Sequence, residues 1–379
     1  MSLHADVSEL TSRLVAIDSV NPSLVRGGAG EAEIAGFVVE WAHAAGLEAD
    51  VLEATPGRPS VVVRARGAGG GRTLLLCAHT DTVGVAGMDA PHTPRLEGDR
   101  LHGRGAYDMK AGLASALLAC REAVAAGLSG DVVVAAVADE EHASLGVQEV
   151  LAAVGADAAI VTEPTELELI VAHKGFVWAE IEVTGRAAHG SRPLLGMDAI
   201  VKTGPILTAL GALDDALREH THPLLGRGSV HASLIEGGAE MSSYPGRCVL
   251  GLERRTLPGE TIEDIEAEVE SLIAAGRAAD PGLEVAQRTL LVREPFEVPL
   301  GAEIVHTVRH AAAEVLGSAP ALAGAPYWAD AAFIAAAGIP TVMFGARGEG
   351  AHAVEEWVSV DDTVTVTHAL VRTAQRLCG

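Results

Sequence analysis

Six side chains, His79, Asp108, Glu140, Glu141, Glu163 and His352, stand at the ends of apolar runs or in glycine-punctuated loops, and their types suit two adjacent metal ions. LLLCAHTDTV carries His79 just past an apolar run, with Asp81 two residues on. Alternation along an extended chain points both side chains the same way, which places the Asp81 carboxylate to orient the imidazole. GRGAYDMK ends a glycine-rich loop at Asp108 and opens a helix, a position where a carboxylate either bridges two metals or caps the helix. ADEEH follows the apolar run VVVAAV, and consecutive carboxylates there repel each other unless a cation compensates them. Adjacent side chains diverge, so one glutamate can ligate while its neighbour serves as general base. VTEP delivers Glu163 after AAIV, with Pro164 ending the pairing, and GEGAHAVEEWV supplies His352 after TVMF. The chemistry such a set supports is hydrolysis by a metal-activated water.

Apolar spacing predicts helices over 8–18 and 31–45 and a strand over 49–53. Strands over 60–66 and 73–77, separated by GAGGGR, are expected to be neighbours. A helix over 110–126 and a buried strand over 132–137 continue an α/β alternation. The pattern then changes to strand 176–184, helix 197–213, strands 229–236 and 247–255, helix 262–275 and strand 283–292. That βαββαβ order is ferredoxin-like. The first style resumes with helix 302–315, strand 341–344 and helix 361–377. The expected organisation is a discontinuous domain over 1–174 and 293–379 with a second domain, 175–292, inserted into it.

A chain of 379 residues, 49% hydrophobic, fits about two domains of roughly 150 residues each. A net charge of -24 argues against nucleic-acid or anionic-membrane partners, which require concentrated positive surface. Cys77, Cys120, Cys248 and Cys378 lack CxxC spacing and lie in or beside apolar segments, as expected of buried free thiols in a reducing compartment. The N-terminus has no basic start followed by an apolar block, and no apolar run approaches a membrane span, so a cytoplasmic protein is expected.

The sequence resembles the metallohydrolase family of acetylornithine deacetylase, succinyl-diaminopimelate desuccinylase, aminoacylase and carboxypeptidase G. AHTDTV, GRGAYDMKAG, ADEEH, VTEP, GRAAHGSRP, IEGGAEMSSYP, LERRTLPGE and GEGAHAVEEW carry the likeness in family order. It implies an α/β fold: a di-zinc aminopeptidase-like catalytic domain, with a mixed central sheet and flanking helices, and an inserted ferredoxin-like lid and dimerisation domain. It also implies two Zn2+ ions, replaceable by Co2+ or Mn2+, one on His79 and Glu163, the other on Glu141 and His352, with Asp108 bridging, Glu140 as general base and Asp81 behind His79. His189 would stabilise the oxyanion, across a homodimer or by domain closure, and Arg255 would grip the substrate carboxylate. Ser242 stands where many relatives carry an asparagine near the scissile carbonyl, Glu253 where aspartate is common, and Arg347 in a loop often written with glycine and proline. The implied reaction removes an acyl group from an N-acyl amino acid, as acetylornithine deacetylase does. A dipeptidase or carboxypeptidase G-like peptidase uses the same site, and a catalytically silent binder of metal and carboxylate is the alternative from another class.

Overall fold

The computed structural model describes residues 2–379. The chain divides into two compact units: the first takes the chain up to Val171 with Val298–Ala323 and Ala329–Gly379, the second Ala172–Glu297 with Gly324–Trp328.

The first unit is an α/β layer structure. Its strands β1 (Glu48–Leu52), β2 (Ser60–Ala65), β3 (Leu74–His79), β4 (Val132–Val137), β5 (Ala158–Val161) and β6 (Leu169–His173, whose last two residues belong to the second unit) join Thr341–Met343 in one mixed sheet, in the order β1-β2-β4-β3-β5, Thr341–Met343, β6. Every residue of β3 and β4 is buried, which explains their unbroken apolar sequences: such strands need cover on both faces. Helices α2 (Ala32–Ala44), α3 (Ala111–Ala126), α4 (Leu145–Ala153) and Glu303–Leu316 pack on the sheet, and α1 (Leu3–Val15) and Val360–Leu377 pack on α3. Val360–Leu377 buries Val366, Leu370, Thr373 and Leu377 at helical spacing, and its start is capped by Ser359 Oγ, which accepts from Asp362 N–H. Helix α1 begins at Leu3 rather than residue 8, because Ser2 Oγ accepts from Ala5 N–H.

The runs at 60–66 and 73–77 are not neighbours as expected. Strand β4 lies between β2 and β3, antiparallel to the first and parallel to the second. The turn signal between the runs marks a loop, whereas α3 provides the crossover that two parallel strands require. Gly112 allows α3 to start hard against the sheet, since a Cβ there would lie 2.1 Å from the Thr162 carbonyl oxygen.

The second unit has strands β7 (Gly175–Thr184), β8 (Ser229–Gly237), β9 (Arg247–Thr256) and β10 (Glu284–Arg293), antiparallel in the order β8-β9-β7-β10, with helices α5 (Ala199–Ala216) and α6 (Ile262–Ala279). Burial alternates along β7 and β9; Ile181, Val183, Leu250 and Leu252 face a core shared with Ile206, Leu272 and Ile273 of the helices. A Thr261/Asp264 capping box starts α6. The unit reaches past 175–292 because Ala172 and His173 pair with Glu297 and Phe296. Ala325 in turn accepts from Lys174 N–H, and the Trp328 ring meets His173 edge-on. Cys77, Cys120, Cys248 and Cys378 are all buried and free. Among the described residues no helix is long and apolar enough to cross a membrane.

Candidate metal centre

Strands β3, β4, β5 and Thr341–Met343 run parallel, so their carboxyl ends share one edge of the sheet. His79 closes β3, Glu140 and Glu141 follow β4, Glu163 follows β5, and the loop after Met343 leads to His352. Asp108 enters from the turn Ala106–Lys110 before α3, where its backbone is non-helical (φ -115°, ψ 94°) and its peptide bond to Met109 is cis. Parallel strand direction therefore brings His79, Glu140, Glu141 and Glu163 together, and the turn before α3 adds Asp108.

His79 Nε2 lies 3.1 Å from Asp108 Oδ1 and 3.8 Å from Glu163 Oε1. His352 Nε2 lies 3.4 Å from Asp108 Oδ2 and 3.2 Å from Glu141 Oε2. Each oxygen of the Asp108 carboxylate thus faces a different imidazole. Donor atoms of His79, Asp108 and Glu141 lie within 4.8 Å of one another, as do those of His79, Glu140 and Glu163.

The electrostatics of the cluster show what its donors suit. Burial raises the Glu140 and Glu163 carboxyls well above the ordinary range; His79 opposes this, and neighbouring carboxylates reinforce it. Glu141 is raised as well, by burial first, although a hydrogen bond with His352 lowers it. Burial disfavours the His79 imidazolium, but the bond to Asp108 and the charges of Glu163 and Glu140 outweigh it and hold the ring's pKa well above its usual value. His352 is pushed up to about 10 by its bonds with Asp108 and Glu141. Asp108 falls below its usual range, because the two imidazoles overcome its burial. The carboxylates Asp108, Glu140, Glu141 and Glu163 outnumber these imidazoles, and Glu141 Oε1 is buried with no hydrogen-bond partner. A mixed imidazole and carboxylate set short of positive charge, with an orphaned oxygen, fits divalent cations.

Asp81 behaves differently from expectation. His79 Nδ1 bonds the Asp81 backbone carbonyl at 2.9 Å, while the Asp81 carboxylate stays 3.8 Å from that ring. Asp81 follows the last residue of β3 by two, so strand alternation no longer applies to it. The carbonyl fixes the proton on Nδ1 and leaves Nε2 to face the carboxylates. The Asp81 carboxylate accepts from the backbone N–H groups of Glu140 (3.1 Å) and Glu141 (3.3 Å) and from Asn21 Nδ2 (2.8 Å).

Glu356 was not among the expected site residues. It is 2% exposed and accepts from the N–H groups of Gly105 (2.9 Å), Tyr107 (2.9 Å) and Asp108 (3.1 Å), and from Arg104 Nη1 at 2.6 Å. It shapes the turn that presents Asp108. Its only sequence signal is a second glutamate beside Glu355. Arg347 lies in this unit, half-exposed, 3.7 Å from Asp362.

His189, Ser242 and Arg255 belong to the second unit. His189 is exposed; its Nδ1 accepts from Ser191 N–H at 3.2 Å, so the neutral ring carries its proton on Nε2. Ser242 is exposed and contributes its carbonyl to Gly190 N–H. Arg255 Nε donates to Glu253 at 2.7 Å and the guanidinium lies over the Phe176 ring at 5.0 Å.

The model of peptidase family M20/M25/M40 matches residues 75–376. Acetylornithine deacetylase from Myxococcus xanthus is 31% identical, over 100% of this chain and 98% of its own length. Aminopeptidase PepT from Bacillus cereus superposes with a TM-score of 0.81 at 20% identity, covering 99% of each chain. A dinuclear metal binding peptidase of the M20 family from Bacillus subtilis superposes with a TM-score of 0.74 at 16% identity, covering 99% of this chain and 98% of its own.

Proposed function

We propose an activity on the premise that these matches establish: the chain belongs to peptidase family M20/M25/M40 and is a metal-dependent hydrolase of amides. Its reaction is removal of the acyl group from an N-acyl amino acid. The observation that carries this is the 31% identity to an acetylornithine deacetylase along the whole chain, whereas the peptidase structures, at 20% identity or less, speak for the fold. A dinuclear centre agrees with the divided Asp108 carboxylate and with the Bacillus subtilis relative.

In this proposal His79 and Glu163 would hold one zinc ion and Glu141 and His352 the other, with Asp108 available to both; cobalt or manganese would suit the same donors. The two cations, when bound, acidify a water and polarise the scissile carbonyl. Glu140 takes the proton of the attacking water and returns it to the departing amine nitrogen. Its carboxyl, raised by burial, suits that role. Asp81 holds the backbone on which Glu140 and Glu141 sit. His189, with its proton on Nε2, is the donor to the developing oxyanion, and Arg255, steadied by Glu253, takes the substrate carboxylate, with Ser242 in substrate placement. Buried free thiols suit a cytoplasmic setting.

The test is a panel of acetyl, succinyl and formyl amino acids beside simple dipeptides, scored by kcat/KM after loading with zinc or cobalt. The expected ranking puts an N-acyl amino acid at least about tenfold above every dipeptide, a transition-state difference of about 1.4 kcal/mol. The reverse ranking makes the enzyme a dipeptidase, and full metal occupancy without turnover on any member makes it a binder.

A homodimer through the second unit completes the proposal. Strand β8 is a sheet edge and carries Leu234 at 75% exposure and Ile235 at 55%. An apolar edge left open invites pairing with a second copy. Leu234→Lys combined with Ile235→Glu is expected to halve the mass measured by light scattering while leaving the circular dichroism spectrum unchanged. An unaltered dimer mass would move the interface elsewhere.

A further inference from the structure

Behind the Glu140–Glu141 turn lies a charged cluster that the reaction does not use. Arg58 is 8% exposed, and its partners Glu31 and Asp139 are fully buried. Its guanidinium takes Glu31 in a fork, Nε to Oε2 at 2.8 Å and Nη2 to Oε1 at 2.6 Å, while Nη2 also donates to Asp139 Oδ1 at 2.7 Å. Nη1 donates to Ser23 Oγ at 3.0 Å. Asn21 Nδ2 joins this cluster to the metal centre by donating to both Asp139 Oδ1 (3.0 Å) and Asp81 Oδ2 (2.8 Å).

Asp139 is the residue on which the turn pivots. Its φ of 68° is left-handed, a conformation open to aspartate more than to most non-glycine residues, and its carbonyl accepts from Ala143 N–H at 3.0 Å. The chain at Glu140 is therefore gripped from two sides: Asp139 by Arg58 and Asn21, and the N–H groups of Glu140 and Glu141 by Asp81. Glu31, Asp81 and Asp139 are each fully buried carboxylates, and buried charge of one sign requires a counter-ion held by directed hydrogen bonds.

We infer that Arg58 is a positioning residue for the Glu140–Glu141 turn, clamping Asp139 so that Glu141 faces His352 and Glu140 faces His79 and Glu163. This rests on the metal assignment proposed above. The role needs a planar fork, because one side chain must satisfy two carboxylates from separate segments; a lysine ammonium supplies the charge without the geometry.

Arg58→Lys separates those two contributions. Measured by stepwise cobalt titration and by kinetics on the best panel substrate, it is expected to weaken one of the two cobalt ions by about 10- to 100-fold and leave the other within about threefold. kcat should fall in the same range with KM within about threefold, and the melting temperature should move by only a few degrees. Glu31→Gln keeps the shape of the pair and loses its charge; it is expected to give the same one-ion loss at the lower end, about tenfold, and it decides the matter if the lysine variant folds poorly. Wild-type values for both ions and for kcat would overturn the inference, as would equal weakening of both ions in step with a falling melting temperature. A wild-type chain that binds no cobalt would remove the metal assignment itself, and the inference with it.

Discussion

Glu140→Gln is expected to lower kcat by about 10² to 10⁴ while two metal ions per chain are retained, as read by elemental analysis of the purified protein. Glutamine preserves the volume and one oxygen of the side chain and removes its capacity to accept a proton. The backbone beneath it is unaffected, because the grip on this residue runs from its N–H to Asp81 Oδ1. The measurement has a second edge. Glu140 offers an oxygen within 4.8 Å of the His79 and Glu163 donors, so by distance alone it could ligate as readily as act as base. A base leaves the metal count intact when replaced; a ligand does not. A fall to one ion per chain would transfer Glu140 to the ligand set, and turnover near that of the wild type would remove it from the mechanism.

This division of roles between Glu140 and Glu141 marks how far the sequence can be read. Acidic and imidazole residues at the ends of apolar runs were legible because buried parallel strands announce themselves as continuous Val, Leu and Ala, and parallel direction then forces their carboxyl ends together. The second unit was legible because burial alternates along β7 and β9 and helical spacing marks α5 and α6. The insertion of β4 between β2 and β3 was not, since pairing partners are chosen by a crossover over the whole sheet rather than by the turn between two runs. Asp139 and Glu356 were hidden for another reason. They act by accepting backbone or guanidinium N–H groups from remote segments, as Glu356 does for the turn at Gly105 to Asp108. Such bonds impose no spacing on the sequence. Asp81 shows both sides: its place beside His79 was legible, but the backbone carbonyl takes the imidazole contact expected of the carboxylate, which instead accepts from Glu140 N–H.

Asp108→Ala is the most damaging single change expected. It removes a carboxylate whose two oxygens face the two imidazoles, so both metal ions are expected to be lost together, with affinity reduced beyond the roughly 100-fold typical of losing an outer partner. kcat/KM should fall by about 10³ or more, the several kcal/mol that metal ions contribute to such a transition state. Dialysis against chelator followed by cobalt titration checks the first point, and loss of one ion alone would deny Asp108 its bridging position. The metal-free protein gives an independent test through pH. Asp108 has a folded pKa below its unfolded value, so it adds stability that is present above about pH 4 and is lost as pH falls through the folded value. His352, raised to about 10, adds stability that is present below about pH 6.5 and is lost as pH rises through about 10. Both contributions depend on the Asp108 carboxylate, and both are in force near pH 5 to 6. In chelator, the gap in melting temperature between wild type and Asp108→Ala should therefore be widest near pH 5 to 6 and narrow toward pH 10, because in the variant His352 keeps Glu141 but loses the Asp108 carboxylate and so gains less from being charged. A gap that stayed constant across that span would mean that Asp108 supports the fold without pairing with His352.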